Sequence, residues 1–227
     1  ETKVIALDRD IFAKQRADDI LKKFPNRFKF FHSKFSNLGK ILKKDLNPSA
    51  IIFDLGFSSY QIADNNRGFS FNSKGPLDMR MGINDFSALD VVNKLSKEQL
   101  AIIFKFLGEE KDGKKIASKI IKYRLKNKIK SSDELVFIIK EAKKKFGKIK
   151  INPATKTFQA LRVFVNKELT ELNNGLIEAT RILHKGGILI VVNFNSLEDK
   201  ITKSFFRFYS DVNKNISRYF PQSESFI

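Results

Sequence analysis

The stretch Ile51-Ile52-Phe53-Asp54-Leu55-Gly56-Phe57-Ser58-Ser59-Tyr60-Gln61 decides the fold. Its apolar run, Ala50 to Phe53, carries β-branched residues and has the look of a buried parallel strand. The run stops at a carboxylate, and Gly56 follows at once. In open α/β sheets ligands sit just beyond the carboxyl ends of the strands, so Asp54 stands where chemistry is done. The residues that follow, through Arg67-Gly68-Phe69-Ser70-Phe71 to Gly75-Pro76-Leu77-Asp78-Met79-Arg80-Met81, show no helical or alternating period. So long an irregular loop in a compact domain is functional or disordered, and its Phe and Met content argues for function.

Upstream of this stretch the pattern repeats. Val4 to Leu7 is an apolar strand ending in Asp8-Arg9-Asp10, ahead of an amphipathic helix from about Ile11 to Phe24. An acidic residue at that position hydrogen-bonds a ribose hydroxyl in nucleotide-binding α/β folds, and it is also an ordinary helix N-cap. Phe28 to His32 reads as the next strand, Phe35 as a turn aromatic, and Leu38 to Leu46 as a short helix. Phe35 either stacks on a purine or belongs to the core. Asp8, Phe35 and Asp54 are expected to line one edge of one sheet.

From Ser87 to about Phe146 the periodicity is wholly helical, with segments near Ala88–Leu95, Lys97–Leu107, Lys114–Asn127 and Ser132–Phe146. Ser96 suits an N-cap, and Ser131 with Glu134 suits a capping box. With no strand among them, these helices predict a small bundle inserted into an α/β fold. The domain division expected is 1–82 with 152–227 for the α/β part and 83–151 for the insertion. The chain of 227 residues holds 43 Lys+Arg against 25 Asp+Glu, a formal charge of +18. Residues 111–150 carry fifteen Lys or Arg against four Asp or Glu. That clustering favours a nucleic-acid surface, with an AT-rich genome's lysine bias as the competing explanation. Lys143, Lys144 and Lys145 follow one another on a helix that buries Leu135, Ile138, Ile139 and Ala142, so most of the triplet is expected to face solvent and grip RNA.

Asn152 to Leu183 reads as helix in two pieces. His184 sits in the turn before a second β-rich run, Ile188 to Phe194, and Asn195-Ser196-Leu197-Glu198-Asp199 follows at its carboxyl end. Lys200 to Tyr209 is an amphipathic helix. Cys is absent and there are two His, which excludes a disulfide framework and argues against zinc. No apolar run reaches the length of a membrane span, and a cytoplasmic location is expected. There is no G-x-G-x-x-G, no Walker A sequence and no evident Ser-His-acid set. Hydride transfer with a nicotinamide cofactor, read from Asp8 alone, is therefore remote. Methyl transfer needs only an oriented nucleophile and a group to hold it.

The runs DLGFSSYQ, RGFSF, GPLDMRMG, NPATKTFQALRVFVNKEL and NFNSLEDK closely resemble, in the same order, the RsmH (MraW) family of S-adenosylmethionine-dependent methyltransferases, which modify the N4 of a cytidine in the decoding region of bacterial small-subunit (16S) rRNA. The resemblance implies a Rossmann-like methyltransferase sheet with an inserted small all-helical domain, S-adenosyl-L-methionine as cofactor, and small-subunit rRNA or the 30S particle as partner. By resemblance, Asp8, Phe35, Asp54 and Gln61 fall on the family's cofactor-contacting positions. Asp54, with Ser58 and Ser59, is the candidate for orienting the cytosine amine. Arg80, Arg162, Asn195 and Ser196 are candidate substrate contacts.

The family's glycine-rich cofactor loop and its C-terminal basic segment have no counterpart, so the chain reads as a fragment of a longer protein. Asn193 and Asn195 stand where the family usually has Ser and His, and Tyr60 where Pro is common. Asn195 cannot accept a proton, which leaves a non-catalytic RNA-binding protein with a decayed methyltransferase fold as the alternative.

Overall fold

The structure is a computed structural model that describes residues 2–42, 47–82, 84, 86–143 and 152–210. The elements run β1 (Val4–Asp8), α1 (Ala13–Lys23), β2 (Phe28–His32), α2 (Leu38–Ile41), β3 (Ala50–Asp54), α3 (Ser59–Ala63), α4 (Ala88–Lys94), α5 (Lys97–Leu107), α6 (Gly113–Arg124), α7 (Ser132–Lys143), α8 (Thr155–Asn166), α9 (Glu168–Ile182), β4 (Ile188–Val192) and α10 (Ser196–Ser210). The chain divides into two compact units, one of Glu1–Phe35 with Phe57–Glu168 and one of Ser36–Gly56 with Leu169–Ile227.

In the first unit β1 and β2 pair in parallel, with Asp8 opposite His32. The parallel pairing needs a crossover, and α1 supplies it. Helices α4 to α8 gather around a core that includes Val91, Val92, Leu100, Phe104, Ile116, Ile120, Leu135 and Leu161, all sealed from solvent. Ser87 and Ser96 start α4 and α5 with reciprocal capping boxes to Asp90 and Gln99, which satisfy two otherwise orphaned N–H groups at each end. The core does not stop at residues 83 and 151. Phe69, Leu77, Met79 and Met81 of the preceding loop belong to it, as do Phe158, Leu161 and Val165 of α8.

In the second unit β3 and β4 pair in parallel, Asp54 opposite Val192, so Asp54 and Asn193–Asn195 share one carboxyl edge. Strands β1–β2 and β3–β4 form separate two-stranded sheets, and no ladder joins them among the described residues. The expected single edge holding Asp8, Phe35 and Asp54 is therefore not formed by backbone pairing. Nor is β3 buried on both faces. Ile51 and Phe53 are inside, while Ile52 is 64% exposed on a face it shares with Ile188 and Ile190 of β4.

Local departures have local causes. The loop after β3 contains α3 and a 3-10 turn at Asn65–Arg67, because Ser58 and Gln61 form a capping box that nucleates a helical turn. Gly68 closes that turn with φ +68, and a Cβ there would lie 2.4 Å from the Pro76 carbonyl oxygen, so the loop is folded tightly on itself. At α7 the expected box is replaced: the Ser131 hydroxyl donates to Asp133 Oδ1, and the Glu134 carboxylate accepts from Lys130 N. Helices α8 and α9 break at Lys167, whose φ is +51. Helix α10 begins at Ser196 rather than Lys200, which turns the polar cluster after β4 into a helix start. The outer parts of the helices expected at Leu38–Leu46 and Ser132–Phe146 lie outside the described residues.

Candidate active site

At the carboxyl end of β1, Asp8 is solvent-accessible and its Oδ1 accepts from Asp10 N at 2.7 Å. Desolvation by the surrounding strand end raises the Asp8 pKa and the Asp10 charge adds to this, against the Asp10 N–H bond, His32 and Arg9. Two residues on, Asp10 is buried, and its Oδ2 receives both Gln61 Nε2 at 2.6 Å and Arg67 Nη1 at 2.5 Å. A buried carboxylate is tolerable only when paired and hydrogen-bonded in this way. Arg67 lies between the rings of Phe12 and Phe69, 5.1 and 5.3 Å from their centroids.

Gln61 is buried too. Its Oε1 accepts from Ser58 N at 2.8 Å and its Nε2 serves Asp10, so the amide first builds the turn, and the second N–H of Nε2 has no partner among the described residues. Ser58 spends its hydroxyl oxygen on the cap, while Ser59 is exposed in the first turn of α3.

In the second unit, Asp54 ends β3 with an exposed carboxylate that has no hydrogen-bond partner among the described residues. It belongs to the uncovered face that carries Ile52 and Ile190, so a planar apolar group laid there would have a free carboxylate at one end. Gly56, at φ +97, lets the chain turn past Phe194, whose ring lies 3.4 Å from where a Cβ would be. Phe35 opens a 3-10 turn just past β2 and is half-buried.

Asn195 is committed through its amide oxygen to the start of a helix. Its Oδ1 accepts from Leu197 N and Glu198 N at 3.0 and 2.9 Å, capping α10, and Glu198 returns a bond from Phe194 N. Ser196 is the first residue of that helix and is exposed. Arg162 is likewise committed: it forms a bidentate pair with Glu168, both bonds 2.9 Å, and stacks 4.3 Å from the Phe57 ring centroid. With 11% side-chain exposure it is not a free phosphate clamp. Arg80 differs. Its side chain is 42% exposed beside Asp78, whose carboxylate it holds in a bidentate pair. Partial burial acts to raise the Asp78 pKa, but the Arg80 bonds and charge outweigh it and the net shift is downward.

The lysine triplet must be redrawn. Lys143 turns inward, donating to Glu110 Oε2 and to the Pro153 carbonyl, both at 2.5 Å, because the nearly sealed Glu110 carboxylate requires a cation. Lys144 and Lys145 lie outside the described residues. The open basic surface is carried instead by Lys122, Lys126, Lys128 and Lys130, around the end of α6 and the loop that follows.

Three residues escaped the reading from sequence: Asp10, Arg67 and Asn166. All three stand in quoted motifs, but that Asp10 and Arg67 pair across 57 residues has no local signature.

A profile of the MraW methylase family matches residues 1–225. The chain is 43% identical over 208 residues to a ribosomal RNA small subunit methyltransferase H of Ehrlichia canis, covering 90% of this chain and 70% of that protein. It is 46% identical over 204 residues to the protein of that name from Sinorhizobium fredii, covering 90% and 60%. With that from Bartonella bacilliformis it shares 43% identity over 222 residues, covering 98% and 66%. The chain thus spans about two thirds of the length of these relatives. With the motif residues at the strand ends and the match running from end to end, the chain belongs to the MraW methylase family.

Proposed function

We propose that the protein methylates the N4 amine of a cytidine in the decoding region of small-subunit (16S) rRNA, with S-adenosyl-L-methionine as cofactor and the rRNA or 30S particle as partner, in the cytoplasm. The observation that carries this reading is the family match over residues 1–225. The relatives' name supports it, and so do the free carboxylate of Asp54 at a strand's carboxyl end and the +18 charge. In this reading the strands belong to a Rossmann-like methyltransferase sheet and the helical residues 83–151 are an insertion. No helix among the described residues is long and apolar enough to cross a membrane.

The cofactor would supply an electrophilic methyl group on a sulfonium sulfur. Asp8, accessible and ending its strand, suits a ribose hydroxyl, and Phe35 suits the adenine ring. Gln61 would contribute its remaining amide N–H. Cytosine N4 is a poor nucleophile because its lone pair is delocalised into the ring, so a group that accepts hydrogen bonds from the amine lowers the barrier. Asp54 has an acceptor to spare and takes that role, with Ser59 at the helix start beyond it. The cytidine must leave its stack to be reached. The exposed Lys122, Lys126, Lys128 and Lys130 would bind RNA phosphates.

Incubated with labelled cofactor and small-subunit particles, the full-length gene product should label one cytosine amine. Label at C5 or on adenine would overturn the reading. Absence of binding heat with S-adenosylhomocysteine would establish the decayed, RNA-binding alternative instead.

A further inference from the structure

The tripeptide Met79-Arg80-Met81 has no regular structure, yet five of its six backbone polar groups are hydrogen-bonded within the protein. Met79 N donates to Arg67 O at 2.8 Å, and Arg80 N to Asp78 Oδ1 at 2.9 Å. Arg80 O accepts from Arg67 Nη2 at 2.8 Å. Two further groups, Met79 O and Met81 N, go to one side chain: Asn166 of α8 donates from Nδ2 to Met79 O at 2.7 Å and accepts at Oδ1 from Met81 N at 2.8 Å. The rest of that amide is also used, Nδ2 on Arg162 O at 3.0 Å and Oδ1 on Asn84 Nδ2 at 2.9 Å. Arg9 completes the knot by bonding both Asn166 O and Asn84 Oδ1 at 2.7 Å. Asn166 is fully buried and all four hydrogen-bonding positions of its amide are satisfied.

This clamp has a consequence for Arg80. Met79 is held at φ +62, a left-handed conformation that a Met rarely adopts, with its side chain sealed in the core. Met81 is buried as well, so the residue between them is turned outward. Its guanidinium spends Nε and Nη2 on Asp78 and one Nη1 hydrogen on Asn84 O at 3.2 Å. Among the described residues three of its five N–H donors are engaged, and two are left at the surface. A planar, charged fork of that kind is matched by a phosphate.

We propose that Asn166 is a positioning residue for RNA binding: by gripping the backbone on both sides of Arg80 it sets the direction in which the guanidinium meets a phosphate of the RNA. The inference rests on the reading of this protein as an RNA methyltransferase and deepens it. Asn166 acts through Arg80, so its effect disappears when Arg80 is gone.

The test is a double-mutant cycle on the full-length gene product, with RNA affinity measured across salt concentrations for Arg80→Ala, Asn166→Ala, the pair, and, as a milder perturbation of the same clamp, Asn84→Ala alone and with Arg80→Ala. Each single change should weaken RNA binding by roughly tenfold, the scale of one charge-assisted contact. Each should also lower the slope of log K against log salt by about 0.7, the loss of one single-stranded phosphate contact. The double variants should bind no more weakly than Arg80→Ala, and S-adenosylhomocysteine affinity should be unchanged throughout. Additive losses in the double variants overturn the proposal, as does a parallel fall in cofactor affinity, which marks a merely structural role. Should Asn166→Ala fail to fold, the Asn84→Ala cycle decides by the same criteria. Unaltered RNA binding in Arg80→Ala also overturns it, while labelling of the cytosine amine by that variant leaves the methyltransferase reading standing.

Discussion

The helical core of the first unit and the β3–β4 sheet of the second are both rich in branched apolar residues, and they bury them to opposite degrees. Leu77, Val91, Val92, Leu100, Phe104, Ile116, Ile120 and Leu135 are all at 0% exposure. On one face of the sheet Ile52, Ile188, Ile190 and Val192 remain 40–64% exposed. Five helices and a tightly folded loop can cover one another, because each presents an apolar stripe to several neighbours. Two paired strands have two faces, and α9 and α10 of the same unit do not cover both. Apolar composition therefore announces a need for burial, and topology decides whether it is met.

The comparison breaks most visibly at Phe104. Phe104→Ala should lower unfolding free energy by about 3–5 kcal/mol, the usual cost of emptying a sealed aromatic site, read from the urea midpoint of the chain. A loss below 1 kcal/mol would mean that the helical core is no better packed than the sheet. A middle-sized effect is expected at the start of α4. Asp90 is held down to a pKa of about 2, first by Lys94 and then by Ser87. Its folded pKa lies below the unfolded value of 3.8, so its contribution is present above that value and is lost as pH falls from about 4 towards 2. Asp90→Asn should cost about 1 kcal/mol at pH 6, a cap's worth for a partly solvated carboxylate, and almost nothing at pH 2. Equal losses at both pH values would show that the charge is irrelevant there. The smallest effect belongs to the open face: Ile52→Thr in this 227-residue chain should change stability by no more than about 0.5 kcal/mol, as surface substitutions do. A cost approaching that of Phe104→Ala would show that the face is covered after all.

What could be read in the sequence was whatever has a local cause. The four strands, the helices from α4 to α9 and the carboxylates at the strand ends follow from periodicity and termination alone. Some errors were avoidable on the same grounds. Lys143 is four residues after Ile139 and so borders the buried stripe of α7, which is how it reaches Glu110. Asn195 with Glu198 three residues later signals a helix start, so α10 begins at Ser196 and not at Lys200. Ser58 with Gln61 carries the same signal inside what looked like an irregular loop. Other features had no local cause to read. Met81 and Asn166 are 85 residues apart, and the Glu110–Lys143 pair spans 33, so neither partner betrays the other before the chain is folded.

The left-handed turn at Met79 bears on the thermodynamics of recognition. An irregular loop that orders on binding spends conformational entropy at that moment, on the order of 1–2 kcal/mol for each residue fixed. Here the buried side chains of Met79 and Met81 anchor the loop in the helical core. Its backbone was fixed when the protein folded, and a ligand arriving at Arg80 has little left to order beyond the tip of one side chain.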